Sequence, residues 1–293
     1  MRTGLPPWLM AVTAMLCFQL SAALAVPIIE IVGSAGTAWL QLCFGSLLLW
    51  IIARPPLRSI RRGDVLPLIG LGAVTGLVNI FFLSAIERIP LGTAISIQLL
   101  GPLVVAGVTN KRRTALLWPA LALAGVVLLT EPWSGKIDIV GVGFVLLGAV
   151  GWAMYILLTQ RIGDRFSGIS GLAITIPTAA IITSAFGLPQ VVGSGFPWWV
   201  LPAVLGLAAL APVTTYGLEM LALRRMTPAA FGTLFALEPV FGMLMGLVVL
   251  GQTPTVMQVI GIAIIVFAAA MAQRGGGRDP VVLEDVGERQ ASA

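Results

Sequence analysis

The sequence predicts an all-helical integral membrane protein with ten transmembrane helices arranged as two inverted five-helix repeats. Three observations support this prediction: the composition, the spacing of the apolar runs and the placement of the basic residues. Of the 293 residues, 58% are hydrophobic and only 10% are charged, whereas a soluble domain averages about 25% charged residues. Because so few charged side chains are available to cover a surface in water, the chain is expected to lie in a lipid bilayer.

The apolar runs are separated by short polar gaps, and each run approaches the roughly 20 residues that a helix needs to cross the hydrocarbon core. The predicted spans are residues 8–29, 35–53, 65–86, 91–110, 114–130, 139–160, 168–187, 198–223, 228–250 and 254–272. Five spans fall in each predicted repeat, over residues 1–134 and 135–272. The glycine-rich, charged residues 273–293 are expected to form a disordered tail.

The basic residues predict the orientation of these spans. If both termini lie in the cytoplasm, fifteen of the 17 Lys and Arg residues fall on that side, and only Arg88 and Lys136 fall outside. The loops are short enough for the positive-inside rule to apply. The sequence therefore predicts cytoplasmic N and C termini and a cytoplasmic tail.

Several function classes are disfavoured by the composition. The formal charge of +5 does not indicate nucleic-acid binding, because the basic residues occupy the gaps between spans. The chain has no histidine, which removes the commonest general base and metal ligand. No phosphate-binding or dinucleotide-binding loop is recognisable. We therefore expect no catalytic residue, no metal site and no cofactor.

The two halves contain related segments around a proline. Residues 85–102 (AIERIPLGTAISIQLLGP) align with residues 222–239 (ALRRMTPAAFGTLFALEP), so that Pro102 meets Pro239. Five spans per half is an odd number, so the second half must enter the membrane from the opposite side. Inverted repeats are characteristic of secondary transporters, whose sites lie near the midplane at interrupted helices. Pro102 and Pro239 are thus predicted hinges, with a kink that only helps packing as the alternative.

Glu238 lies near the middle of the ninth span, in GTLFALEPVFGML. A charged side chain at that depth costs roughly 2.5–3.5 kcal/mol on insertion scales. No basic residue lies at that depth, so the carboxyl is expected to be protonated or to face a wet cavity. Glu238 is therefore the first candidate for proton coupling, and a structural interhelical hydrogen bond is the alternative.

Glu219, in the eighth span, is the second candidate for proton coupling. It shares a helix face with Tyr216, which lies three residues earlier. The alternative is an interfacial acid paired with Arg224 or Arg225.

Six polar or aromatic residues inside the spans are candidate substrate contacts: Gln98, Tyr216, Asn79, Trp152, Tyr155 and Gln19. Embedded amides also serve as simple links between helices, worth roughly 0.6 kcal/mol each. The aromatic residues have a packing role as their alternative.

Several short motifs resemble those of a known family, and they occur in both halves. They are Pro90-Leu91-Gly92, Gly101-Pro102-Leu103, Trp152-Ala153, Leu218-Glu219-Met220, Phe231-Gly232-Thr233-Leu234 and Glu238-Pro239. This layout resembles the drug/metabolite transporter superfamily with two EamA-type repeats, and within it the bacterial inner-membrane threonine and homoserine exporters. The resemblance implies a ten-helix fold, a central cavity and efflux of small amino acids driven by the proton gradient. It also implies an acid where Gln98 stands and an arginine where Gln41 stands, so Glu238 is left as the best proton carrier.

The leading hypothesis is a multi-pass secondary exporter of small neutral amino acids, or of related small metabolites, in the bacterial inner (plasma) membrane. It is expected to work by proton-coupled alternating access. The expected partners are the small-molecule substrate, protons and the lipid bilayer, with no nucleic acid and with a homodimer left open. An uncoupled facilitator or exchanger is the first alternative. A channel and a membrane enzyme follow it.

Overall fold

The structure, a computed structural model, describes residues 6–53, 62–109, 116–131, 133, 138–162, 169–223, 225, 231 and 234–275. Lys136, Arg224, most of the other predicted cytoplasmic basic residues and the predicted tail beyond Gly275 lie outside this set. Across the described ranges the chain is helical and contains no strand. The all-helical class is therefore confirmed.

The helices follow the apolar runs of the sequence. In chain order they are α1 (Pro7–Val32), α2 (Ser34–Ala53), α3 (Arg62–Ile86), α4 (Leu91–Gln98), α5 (Leu100–Thr109), α6 (Leu117–Thr130), α7 (Ile139–Ile162), α8 (Ile169–Ser194), α9 (Val200–Ala208), α10 (Thr215–Leu223), α11 (Glu238–Leu250) and α12 (Val256–Gly275). A π-helical turn over Ala209–Thr214 joins α9 to α10.

Seven segments of the described chain are helical, long and apolar enough to cross a membrane. They are α1, α2, α3, α4 with α5, α7, α8, and α9 through α10. Three further helices, α6, α11 and α12, are apolar over shorter stretches of 10–17 residues. Together with the composition, these segments establish an integral membrane protein.

The observed ends of α8 and α12 lie beyond the predicted ones. α8 continues to Ser194, although the prediction ended it at residue 187 and Pro189 lies inside it. Its last turns stay helical because they pack on α2, where the side-chain oxygen of Gln190 accepts a hydrogen bond from the Gly36 backbone nitrogen at 2.8 Å. α12 continues to Gly275, so the first three residues assigned to the tail are helical.

Prolines interrupt two helices at matching places in the two halves. The first break falls at Leu99, three residues before Pro102. The second falls at Ala236 and Leu237, just before α11 begins at Glu238. Proline has no N–H and its ring displaces the carbonyl of the residue four positions earlier, which breaks the helix there. At the offset that aligns Pro102 with Pro239, Leu99 corresponds to Ala236.

A third interruption, inside the eighth span, was not predicted. Ala211 has an extended backbone (φ −139°, ψ 121°) immediately before Pro212. The residue before a proline is pushed out of the helical region by a steric clash with the proline ring. Two hydroxyl groups hold the broken segment on α1: Thr215 donates to the Ala14 carbonyl at 3.3 Å, and Ser21 donates to the Leu207 carbonyl at 3.2 Å.

The most extensive helix packing joins the two halves of the chain rather than helices within one half. α2 lies along α8, α3 lies along α7 and α8, and α6 lies along α12. α1 packs on α10 and α11, and α4 packs on α11 and α7. The two halves therefore form one interleaved bundle with a shared apolar core.

Candidate functional site

The acid of the ninth span is paired with an amide from the first helix. Glu238 is the first residue of α11 and is 4% exposed, and Gln19 of α1 is fully buried. Nε2 of Gln19 donates to Oε1 of Glu238 at 3.4 Å. This contact joins residues 219 positions apart in the chain. The hydrogen bond therefore stabilises the Glu238 carboxyl, for which the described membrane segments provide no basic partner.

A close crossing of helices positions this pair. Gly242, one turn after Glu238, faces α1 and α4. A Cβ atom at Gly242 would lie 2.7 Å from Cγ2 of Ile95 and 3.3 Å from Oε1 of Gln19. Gly92 of α4 is similarly tight, because its Cβ atom would lie 2.9 Å from the Met243 backbone. The two glycines therefore let α4 and α11 approach closely enough to enclose the Gln19 side chain.

Gln98 ends α4, which packs on α11. α4 and α11 run antiparallel, since Gly92 lies beside Met243 and Ile95 lies beside Gly242. Continuing this register by one turn would bring Gln98 toward the level of Glu238, and the Gln98 amide also faces α7, because a Cβ atom at Gly148 would lie 3.8 Å from its Cδ and Nε2. Gln98 is 5% exposed, and Pro102 provides no N–H for its backbone carbonyl.

Three buried oxygen atoms in the described chain have no hydrogen-bond partner: Oε1 of Gln19, Oε1 of Gln98 and Oε2 of Glu238. An unsatisfied buried polar group costs about 1–3 kcal/mol. Native structures tolerate such groups mainly where they serve a purpose. We take these three oxygen atoms as the centre of the candidate site and call them the acceptor cluster.

Aromatic side chains lie next to the break before α11. Trp152 of α7 contacts Phe235 edge to face, with ring centroids 5.8 Å apart. Phe235 stacks on Phe231 at 5.9 Å. Phe235 was not among the predicted site residues, although its position three residues before Glu238 in the aligned repeat pointed to it.

Tyr155, Tyr216, Glu219 and Glu238 also come together. Tyr216 interacts electrostatically with Tyr155, Glu219 and Glu238, and Glu219 interacts with Glu238. Glu219 is half-buried. No ion pair joins it to Arg225, the one of its two predicted basic neighbours that the structure describes.

The contacts of α3 do not bring Asn79 to the group of Tyr155, Tyr216, Glu219 and Glu238. It is half-buried on α3, which packs mainly on α7 and α8. Of the two prolines predicted as hinges, Pro102 follows the Leu99 break and Pro239 follows the Leu237 break.

The two halves are also joined by polar contacts at one end of the bundle, which we call the hairpin end. Arg88, after α3, forms an ion pair with Asp138 at 3.4 Å. Asp138 also caps α7, because its Oδ1 accepts from the Gly141 nitrogen at 2.8 Å. The Gly141 hydrogen bond first, and then the charge of Arg88, hold the pKa of Asp138 below its usual value.

Three further hydrogen bonds join the halves at the hairpin end. They are Leu91 N to Gln252 Oε1 at 3.0 Å, Thr255 Oγ1 to Glu131 Oε1 at 2.8 Å, and Gly36 N to Gln190 Oε1 at 2.8 Å. Each contact links a loop or helix end of the first half to one of the second half. Sequence reasoning missed this set, because such residues are common in loops and carry no signal of their own.

Among the described residues, no group of His, Cys, Asp and Glu side chains is arranged to hold a metal ion. Cys17 and Cys43 are free and half-buried. The site thus consists of carboxyls, amides and aromatic rings, a set suited to binding a polar small molecule or a proton.

Comparison with known proteins assigns the chain to a family. Residues 139–273 match the EamA-like transporter family. The chain is 32% identical over 283 residues to the threonine/homoserine exporter RhtA of Salmonella typhimurium strain LT2, covering 95% of this chain and 96% of that protein. It is 33% identical over 270 residues to RhtA of Escherichia coli K12, covering 90% and 91%.

Two more distant similarities agree with this assignment. The uncharacterized inner membrane transporter YedA of Escherichia coli K12 is 23% identical over 239 residues, covering 75% of this chain and 73% of that protein. A crystal structure of a protein that is 19% identical superposes with a TM-score of 0.55, over 92% of this chain and 97% of that one. This last likeness concerns the fold alone. The chain belongs to the EamA-like transporter family, in which its full-length relatives are threonine/homoserine exporters, and it is a membrane transporter rather than an enzyme.

Proposed function

We propose that this protein exports small neutral amino acids resembling threonine and homoserine, or related small metabolites, across the bacterial inner membrane. Transport proceeds by alternating access and is coupled to protons through Glu238. The full-length similarity to RhtA exporters supports the substrate class. The single observation that carries the coupling proposal is the buried Glu238 carboxyl, with one oxygen on Gln19 and the other unpartnered.

The position of Glu238 at a helix start supports a link between its charge and movement at the proposed hinge. It is the first residue of α11, directly before Pro239 and directly after the helix break. Gaining or losing a proton changes which hydrogen bonds the carboxyl can donate or accept, with Gln19 and with its other neighbours. The break at Leu237 allows α11 to respond by moving relative to the preceding segment. Glu219, close enough to act on Glu238 electrostatically, is the second proton-responsive group in this proposal.

The packing pattern supports two inverted repeats of five spans, over residues 1–134 and 135–272. In such a repeat, each span of one half is equivalent to the span five positions along the chain in the other half. The equivalent of α3 is α9–α10 and the equivalent of α7 is α1, so the α3–α7 pair corresponds to the pair of α9–α10 with α1. By the same equivalence, the pairs α2–α8, α6–α12 and α4–α11 correspond to themselves. All of these pairs are among the contacts of the bundle. A pseudo-symmetric bundle of this kind has two related arrangements, which alternating access requires.

With ten spans and cytoplasmic termini, the hairpin end faces the periplasm. The positive-inside count supports this orientation. The polar contacts that join the halves at that end then close the periplasmic side. The substrate contacts in this proposal surround the acceptor cluster and are Gln19, Gln98, Trp152, Tyr155 and Tyr216, with Asn79 more remote.

An uncoupled facilitator or exchanger is a second candidate, and one observation favours it. Gln98 and Gln41 are both buried neutral amides where the resembled exporters imply charged groups. A chain without those charges has fewer groups that bind a transported proton. The two candidates differ in whether flux follows the pH gradient.

Transport by purified protein in proteoliposomes tests the proposal. We expect threonine accumulation driven by an imposed pH gradient in the wild type, and loss of the gradient's effect in Glu238→Gln. Glu30→Gln is the matched control, because Glu30 lies exposed on α1. Gradient-driven accumulation that persists in Glu238→Gln would refute the role of Glu238. Wild-type flux that ignores the gradient would establish the uncoupled alternative.

A further inference from the structure

The acceptor cluster has a uniform chemistry. Its three atoms, Oε1 of Gln19, Oε1 of Gln98 and Oε2 of Glu238, are oxygen atoms that accept hydrogen bonds. The amide of Gln19 is oriented by its bond to Glu238: Nε2 faces the carboxylate, which leaves Oε1 as the free atom. Each of the three side chains is at least nine-tenths buried.

The three atoms come from three different helices, of which two are joined directly by the Gln19–Glu238 hydrogen bond. Gln19 lies on α1, Gln98 ends α4 and Glu238 begins α11. The packing of Gly242 against both Gln19 and Ile95 fixes α1 and α4 on the same face of α11. A ligand group between these helices would meet the acceptors of Gln19 and Glu238, and the antiparallel register of α4 and α11 brings the Gln98 acceptor toward the same group.

The described apolar helices around the acceptor cluster provide no positive charge to balance an anion. None of the apolar helical segments that qualify as membrane spans or as shorter apolar helices contains Lys or Arg, and the chain has no His. A carboxylate placed at the acceptor cluster would face Glu238, with Glu219 nearby, and would meet no cation from these helical segments. Tyr216, Tyr155 and Trp152 add aromatic rings, whose faces attract cations.

We propose that Gln19, Gln98 and Glu238 form a subsite for the primary ammonium group of the substrate. A primary ammonium carries three N–H donors and no acceptor, as the lysine head group does, and it matches three acceptors of which one is anionic. The substrate's carboxylate is not recognised in this site. The inference rests on the proposed transport function and narrows its substrate class to primary amines, including amino acids, amino alcohols and amino acid amides.

Binding to the purified full chain tests the subsite without requiring transport. The readout is the rise in melting temperature with ligand concentration. The ligands are threonine, threoninol (the carboxylate reduced to an alcohol), N-acetylthreonine and 2,3-dihydroxybutanoate, in which a hydroxyl replaces the amine. We expect threoninol to bind within about threefold of threonine, and the two compounds without a free amine to bind at least roughly tenfold more weakly.

Matched variants locate the site. Gln98→Met and Gln19→Met keep the side-chain length and remove the acceptor. We expect each to weaken threoninol binding by roughly tenfold. Gln258→Met, at the start of α12, changes a glutamine outside the bundle centre whose side-chain oxygen accepts from the Thr255 nitrogen, and it is expected to leave binding unchanged. The melting temperature without ligand reports whether each variant is folded.

The outcomes separate this inference from the proposed function. If 2,3-dihydroxybutanoate binds as well as threonine while threoninol does not, the ammonium subsite is wrong, although amino-acid export can still hold. If threoninol binds in a manner sensitive to Gln98→Met but neither threonine nor homoserine is transported, the subsite stands and the proposed substrate is wrong. Equal binding of threoninol to the wild type and both variants also overturns the inference.

Discussion

Gln19 of α1 donates its side-chain amide to the Glu238 carboxyl at the start of α11. The first helix of the first half is thereby bonded to the interrupted helix of the second half at the centre of the bundle. Because α1 also packs on α10, this bond lies where the two halves meet. We therefore expect loss of this bond to lower the free energy of unfolding and to change the proton coupling of transport.

Gln19→Leu removes that bond with little change in volume. Hydrogen bonds between membrane helices average about 0.6 kcal/mol and reach about 1.7 kcal/mol. We therefore expect a loss of free energy of unfolding in this range, measured by denaturation in mixed micelles. We also expect a changed pH dependence of transport, since Glu238 loses a donor. A variant with an unchanged pH profile would show that the bond is only structural.

Gly92→Ala should disrupt the crossing of α4 and α11. The added Cβ atom would meet backbone atoms of Met243 at 2.9–3.0 Å, and backbone cannot move aside as a flexible side chain can. Overpacking of this kind costs typically 1–3 kcal/mol, which we expect as a drop in stability together with a loss of transport. Gly143→Ala is the control, because nothing lies within 4 Å of its added Cβ atom. Equal effects in both variants would contradict the close crossing.

Pro239→Ala should restore a backbone donor at the break before α11. A straighter helix is expected to keep ligand binding and to slow transport, because the hinge that lets the halves exchange arrangements is stiffened. Comparing binding by thermal shift with flux in proteoliposomes separates the two effects. Pro189→Ala, at an exposed site in α8, is the control. A transport rate equal to the wild type in Pro239→Ala would remove the hinge role.

Asp138→Asn should weaken the hairpin end in a pH-dependent way. The folded-state pKa of Asp138 lies below its usual value of 3.8, through Gly141 first and Arg88 after it. A lowered folded pKa gives stability that is present above the unfolded pKa and is lost as pH falls through the folded pKa. The difference in melting temperature between wild type and variant is therefore expected at neutral pH and should vanish at strongly acidic pH. A difference independent of pH would contradict a role for the charge.

The sequence predicted the helical membrane class and most helix bounds within a few residues, because each helix coincides with an apolar run. It also located the breaks near Pro102 and Pro239 by their alignment. It missed the break at Ala211, since the apolar run continues through Pro212 and hydropathy alone does not detect a change of backbone direction. The sequence did not predict the Gln19–Glu238 hydrogen bond either. Both residues were singled out as candidates, but which embedded amide meets which acid depends on packing across the whole bundle.

The interleaved packing has a consequence for how the chain is made. Membrane proteins are synthesised from the N terminus, yet α1 finds its partners α10 and α11, and α2 finds α8, only after the chain has passed its midpoint. Gln19 therefore enters the bilayer before its partner Glu238, and it lacks this hydrogen bond while the intervening helices are inserted. The first half is thus the vulnerable intermediate of biogenesis, and truncation after residue 134 would uncover the faces of α2, α3 and α6 that pack on the second half.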